Sequence, residues 1–242
     1  MRSLAAPVVT AALVLSGCSG AGPDLAPRSA PEVAAATVPP GPPSPDASPE
    51  TEEESLSTDG APRRAVLSIP AIGVEGLVVE PYRGRTDDAP GTELQNRGLA
   101  ASPYGPRGGT GPGGIGNYQV TAHRNSSTAA FADLPQLRRG QRVVVDIDGT
   151  RLTYEITTTR STSFRSRVSL AQQRAAVPGR PGAVPTRAMI TLSTCATQED
   201  HAAGNYWADE LDNPEHRIDK IGVLVSAAPM DAAGPAATRD GP

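Results

Sequence analysis

Between Arg142 and Thr157 apolar residues alternate on both sides of a tight-turn dipeptide: Val143, Val145 and Ile147, then Asp148-Gly149, then Leu152, Tyr154 and Ile156. A period of two sends all six apolar side chains to one face of the chain. Asp-Gly supplies the positive backbone angles of a two-residue turn, so the stretch predicts a β-hairpin with one buried face. A hairpin with one oily face folds only against other elements of the same kind, and the rest of the sequence supplies them.

Ala65–Pro70 and Ile72–Val79 are two short β-type runs broken by Pro70 and by glycines, and 117–125 reads as a strand that ends on His123. Phe131, Leu134 and Leu137 follow helical spacing and predict one short helix that Gly140 stops; a second is predicted from about Ser169 to Ala176. The stretch from Gly91 to Gly116 reads as a long Gly/Pro loop, too rich in turn residues for a helix. His216–Val225 predicts the closing strand. Many short strands with few helices favour an all-β barrel or sandwich over a βαβ sheet.

Ala188–Cys195 ends on the one cysteine outside the N-terminal leader. Strand alternation puts Ala188, Ile190 and Leu192 on one face and Met189, Thr191, Ser193 and Cys195 on the other. The thiol therefore leaves the core side, where a nucleophile must stand. A small buried hydrophobe is the competing reading for any lone cysteine.

Residues 1–18 carry Arg2, an apolar run from Ala5 to Leu15 and Leu15-Ser16-Gly17-Cys18. The run is too short for a bilayer span, which takes about 20 residues, but fits an export signal. Its end resembles a bacterial lipobox, with Cys18 as the lipid-bearing residue of the mature chain. Residues 19–62, rich in Pro, Ala and Ser with Glu52-Glu53-Glu54, predict a disordered or extended tether. Residues 63–228, roughly 165 in all, suit one globular domain with a core, and 229–242 form a small-residue tail. The expected location is the extracytoplasmic face of the cell membrane, held by lipid. Lipidation of Cys18 removes the partner for a disulfide to Cys195 and leaves a lone thiol in an oxidising compartment.

Net charge is −4 and aromatic content 3%, so neither a basic footprint nor a stacking platform for nucleic acid is present. One domain cysteine and the scattered His123, His201 and His216 show no zinc spacing. Glu199, Asp200, Asp209, Glu210 and Asp212 offer carboxylates of the kind calcium takes, but read first as a solvated loop. No metal and no cofactor is expected. A cysteine nucleophile needs a group that takes its proton and a cation or amides for the oxyanion. Histidine and arginine side chains can supply these roles, though taken singly His123 reads as a turn histidine and Arg217 as a solvated strand-end charge.

The runs 116–124, 131–141, Thr191-Leu192-Ser193-Thr194-Cys195 and His216-Arg217-Ile218 follow one another as in sortases of the actinobacterial class E type, which this chain resembles over about 64–227. That resemblance implies a sortase-type closed β-barrel and a cysteine transpeptidase. Such an enzyme cleaves a C-terminal sorting signal of the LPxTG or LAxTG kind through a thioacyl intermediate. Its partners would be surface proteins bearing the signal and an amine of peptidoglycan or a pilin. The resemblance makes Cys195 the nucleophile, His123 the proton-transfer partner and Arg217 the oxyanion and substrate holder, with Thr194 and Ala122 as substrate-binding neighbours. Where the family commonly has a short loop, Ala196–Glu215 forms an insertion that roofs the groove or alters the substrate. The alternative reading is a non-catalytic sortase-fold lipoprotein that binds a peptide or a partner protein. An L,D-transpeptidase is disfavoured, because Thr194 stands where that family has glycine before the cysteine.

Overall fold

The computed structural model describes residues 56–230. The leader with Cys18, the tether as far as residue 55 and the tail from 231 lie outside the described residues. Eight strands close into a barrel: β1 (Ala65–Ile69), β2 (Val74–Arg83), β3 (Ala100–Tyr104), β4 (Gly116–Thr121), β5 (Arg142–Ile147), β6 (Thr150–Ser163), β7 (Ala188–Cys195) and β8 (His216–Pro229). Their order around the wall is β1-β2-β3-β4-β7-β8-β6-β5. Three short helices lie between them: α1 (Ala89–Asn96), α2 (Arg167–Arg174) and α3 (Thr197–Ala202).

The hairpin forms where the alternation predicts it, as β5 and β6, with Ile147 opposite Thr150 and positive φ at Asp148 (40°) and Gly149 (79°). Val143, Val145, Leu152, Tyr154 and Ile156 are fully buried. They meet Leu67, Ile69, Val79, Val120, Ile190 and Leu192 inside the barrel. Each such aliphatic side chain contributes about 1.5–3 kcal/mol by leaving water.

Two pairings of β7 decide where chemistry can sit. β4 runs parallel to β7, with Thr121 opposite Ser193, so both strands end at the same rim. β8 begins at that rim and runs back antiparallel, with Arg217 opposite Cys195. His123, two residues beyond the end of β4, arrives there as well.

Three expectations are corrected. The 91–116 stretch holds most of α1 and all of β3. Pro90 lies in the first turn of α1, where its missing N–H costs nothing, and the Asp88 carboxylate caps the helix on the Gly91 N–H at 3.2 Å. Phe131, Leu134 and Leu137 do not share a helix: only a 3-10 turn, Leu134–Gln136, forms around Pro135. All three side chains are nonetheless buried in the barrel core. Finally, the docked domain starts before residue 63. The Thr58 N–H donates to the Gly113 carbonyl at 2.8 Å, and the Gly111 N–H donates to the Gly60 carbonyl at 2.8 Å. A side chain at 111 would put Cβ 2.0 Å from the Ala61 carbonyl oxygen. The glycines there serve close backbone contact with residues assigned to the tether by composition.

Removing the Leu152 side chain, which is fully buried, tests the packing account. Leu152→Ala is expected to lower unfolding free energy by about 2–5 kcal/mol. In denaturant titration the midpoint should fall with an unchanged m-value.

Candidate active site

Cys195, the last residue of β7, is a half-buried free thiol. Arg217 on β8 is 2% exposed and points its Nη1–H at the Cys195 sulfur, 2.6 Å away. Its other two nitrogens are engaged as well. Nε donates to Asp87 at 3.3 Å, Nη2 donates to the Asn213 side-chain oxygen at 2.5 Å and lies 3.2 Å from the other Asp87 oxygen. The guanidinium also stands over the Phe164 ring, 4.7 Å from its centre. Asp87 adopts φ 58°, unusual for a non-glycine residue and costly without compensation. Its carboxylate is the anion on the buried cation.

His123 is half-buried and shares with Cys195 a cavity of about 450 Å³. Thr92 and Asn96 of α1 form one side of this cavity, and Leu211, Asp212 and Asn213 form another. The insertion thus builds a wall of the cavity, and Asn213 also grips Arg217. His123 Nε2 is 2.8 Å from the Asn96 side-chain oxygen. An amide oxygen only accepts, so Nε2 carries the proton and Nδ1 is left as the basic nitrogen. The Phe131 N–H donates to the His123 carbonyl at 3.0 Å, closing the loop that carries the imidazole.

His201 lies on the exposed side of α3, its ring 4.7 Å from that of Tyr206, and does not line the cavity. His216 is held by Asp200, Nδ1 to carboxylate 2.6 Å. Thr194 and Ala122 do not line the cavity either. Both are buried, and the Thr194 hydroxyl donates to the Ala122 carbonyl at 2.8 Å, fastening β7 to the segment that leads into His123. Three of the five insertion carboxylates are taken up: Glu199 by Arg124, Asp200 by His216, and Asp209 by Asn213. Among the described residues no group of three or more potential ligands converges on a metal position.

Arg124 escaped the sequence reading. Its side chain, 9% exposed, is forked on Glu199 of α3 and donates through Nη1 to the Cys195 carbonyl at 3.2 Å. The residue next to the histidine therefore holds the backbone of the cysteine. Asp87, Asn96 and Asn213 also went unread; the only signal was their amide or carboxylate type, which many loop residues share.

Burial pushes the Cys195 thiol above the range of a free thiol, against the attraction of Arg217 for the thiolate; Asp87 adds to the upward push. Burial and the like charge of Arg217 hold His123 below the ordinary imidazole range. At neutral pH the resting pair is thiol and neutral imidazole. Alkylation of Cys195 by iodoacetamide is therefore expected to be slower at pH 7 than that of a cysteine peptide, and to keep rising beyond pH 9. Arg217→Met, which removes the charge favouring thiolate, should move the curve further up. A plateau reached by pH 8 would contradict this electrostatic account.

A sortase-domain family model matches residues 67–208, which contain both His123 and Cys195. Among solved structures, sortase E from Streptomyces avermitilis is 26% identical, with a TM-score of 0.50 over 75% of this chain and 99% of that one. Two further structures speak to the fold alone. SrtA sortase from Actinomyces oris is 16% identical, with a TM-score of 0.54 over 77% of this chain and 93% of that one. Sortase E1 from Streptomyces coelicolor, solved with a tripeptide in the active site, is 21% identical, with a TM-score of 0.51 over 75% and 98%. No curated protein matches significantly. With a closed eight-stranded barrel, a thiol under an arginine at the rim and a family match across more than half its length, this chain belongs to the sortase family of cysteine transpeptidases.

Proposed function

We propose that Cys195, His123 and Arg217 cleave a C-terminal sorting signal of the LPxTG or LAxTG kind after its threonine. The acyl group is then passed to an amine of cell-wall peptidoglycan or a pilin. The observation that carries this reading is the Arg217 guanidinium fixed on the Cys195 sulfur at the edge of a cavity that His123 also lines. Cys195 gives its proton to His123 Nδ1 as Sγ attacks the threonine carbonyl carbon, and Arg217 Nη1–H turns from sulfur to the forming oxyanion. The carbon–nitrogen bond then breaks, and the imidazolium proton leaves with the departing amine. An incoming amine attacks the thioester, His123 takes its proton, and the thiol returns. A peptide groove here accords with the tripeptide found in the sortase E1 active site.

The same proposal places the enzyme on the extracytoplasmic face of the membrane. Lipid on Cys18 holds it, and the Pro-rich tether gives reach at about 3 Å per extended residue. Membrane fractionation with intact-mass spectrometry is expected to find a shortened, lipid-bearing chain in the membrane, and an uncut precursor with Cys18→Ser.

Intact-mass spectrometry of the full chain with LPxTG and LAxTG peptides tests the chemistry. An adduct of the cleaved acyl fragment is expected, absent from Cys195→Ala and suppressed in His123→Ala. A folded protein that forms no adduct with any peptide would favour the binding-protein alternative. Arg124 enters as a positioning residue. Arg124→Ala is expected to lower kcat/KM by about tenfold to a hundredfold, the size of effect that a small misplacement of reacting groups produces. Its Cys195 alkylation profile should move up, but by less than in Arg217→Met, because Arg124 favours the thiolate more weakly than Arg217 does; a rate loss larger than that shift explains marks lost alignment.

A further inference from the structure

Away from the thiol, three elements bring four arginines together. Arg83 and Arg85 stand at and just beyond the end of β2, Arg107 is on the β3–β4 loop, and Arg174 ends α2. A cavity of about 230 Å³ is lined by Arg85, Arg107 and Arg174, and one of about 260 Å³ by Arg83 and Arg107. Pro106 and Arg107 belong to both, so the two adjoin. No carboxylate lines either cavity.

The backbone that carries these arginines is fixed and Arg174 is held, while the Arg83, Arg85 and Arg107 side chains are exposed. Arg107 rides on a loop closed by the Gly109 N–H to the Pro103 carbonyl at 2.8 Å and by the Gly108 N–H to the Gly105 carbonyl at 3.1 Å. A Cβ at Gly108 would lie 2.5 Å from the Tyr104 backbone, so the loop is pressed against β3. The Gly84 N–H donates to the Tyr104 carbonyl at 3.2 Å, which fixes the Arg83–Arg85 segment to the same strand. Arg174 is held from below, with Nε donating to the Thr86 hydroxyl at 2.9 Å and Nη2 to the Thr86 carbonyl at 3.3 Å.

None of the four has an ion-pair partner among the described residues, whereas six other arginines do. The nearest carboxylates are turned to other work. Asp87 faces Arg217, and Asp88 accepts from the backbone N–H groups of Arg85 and Gly91. Arg174 is repelled by Arg85 and attracted by Asp87 and Asp88, but neither carboxylate forms an ion pair with any of the four arginines among the described residues. The ligand that answers them carries at least two negative charges and several acceptor oxygens within a small volume. A lone carboxylate supplies one charge and two oxygens.

We propose that Arg83, Arg85, Arg107 and Arg174 form a binding site for a phosphate or diphosphate group. Through Thr86 the site abuts Asp87, the anion that holds Arg217.

The test is calorimetric titration of the full chain, as Cys18→Ser so that it bears no lipid, with inorganic phosphate and pyrophosphate against sodium chloride of equal ionic strength. Saturable binding is expected, tighter for pyrophosphate, and weakened at least tenfold in Arg85→Gln/Arg107→Gln and further in Arg85→Glu/Arg107→Glu. Unchanged thermal midpoints would show that both variants fold. A second arm measures binding to phosphatidylglycerol and phosphatidylcholine vesicles. Charge-swap-sensitive binding to phosphatidylglycerol alone keeps the site and makes a lipid headgroup the source of the phosphate. Binding no better than chloride in both arms, or equal binding by parent and variants, overturns the proposal.

Discussion

The buried Arg217 guanidinium is the constraint around which the rim of this barrel is arranged. A cation taken out of water costs several kcal/mol unless its surroundings return them through charge and hydrogen bonds. Here the return comes from four separate places: Asp87 before α1, Asn213 in the insertion, Phe164 after β6, and the Cys195 sulfur itself. None of these segments touches the others in sequence. A fold that satisfies the arginine has therefore already fixed the loop before α1, the end of β6 and the insertion around the thiol. The positive φ of Asp87 is the local cost of delivering a carboxylate to that point.

Beneath the thiol, the outer face of β7 and β8 is tied down by polar groups instead of by oil. Asp219, one strand position down from Arg217 on the same face of β8, accepts from Ser193 at 2.6 Å, Thr162 at 2.5 Å and Gln173 of α2 at 2.9 Å. Asn117 of β4 accepts from Thr191 and donates to the Gln173 and Ala175 carbonyls. This network links β4, β6, β7, β8 and α2 directly below the reactive rim. Its partners are mutually satisfied, so a shift of any strand would orphan a buried polar group, and that resists drift of the thiol. Burial also pushes the Asp219 carboxyl above its usual range. Its ionised form is thus the costly one in the fold, and acidification relieves that cost instead of adding to it.

Period-two alternation made the β5–β6 hairpin and the Cys195 strand legible, because a barrel wall obliges every second residue to be apolar. The same rule put Ser193 and Cys195 outside the core, where they are found. Helices were harder. Pro90-Gly91 looks like a loop unless Asp88 is seen as a cap, and Phe131, Leu134 and Leu137 share helical spacing while Pro135 permits only a 3-10 turn. For the site, the cysteine, the histidine and the arginine could be picked out by chemical type and order along the chain. Their supports could not. Asp87 lies 130 residues from the arginine it neutralises, and Arg124 lies 71 residues from the carbonyl it binds. Such pairings are products of barrel closure and leave no local pattern in the sequence.

The electrostatics also bear on how a lone thiol survives where oxidants are present, as the proposed extracytoplasmic placement requires. Thiolate, not thiol, is the species that oxidants attack. Burial and Asp87 hold Cys195 protonated at rest, in spite of the guanidinium 2.6 Å from its sulfur. Arg217 is then not chiefly a device for making thiolate in the empty enzyme. In the proposed reaction it acts when charge moves from sulfur to the carbonyl oxygen of the peptide, which the same N–H then takes up. A guanidinium already fixed by Asp87 and Asn213 has only to redirect its Nη1–H from sulfur to oxygen, and stabilisation offered only in the transition state is what raises a rate. Burial thus keeps the sulfur quiet at rest, while the buried Asp87–Arg217 pair is left for the proposed task of meeting the oxyanion.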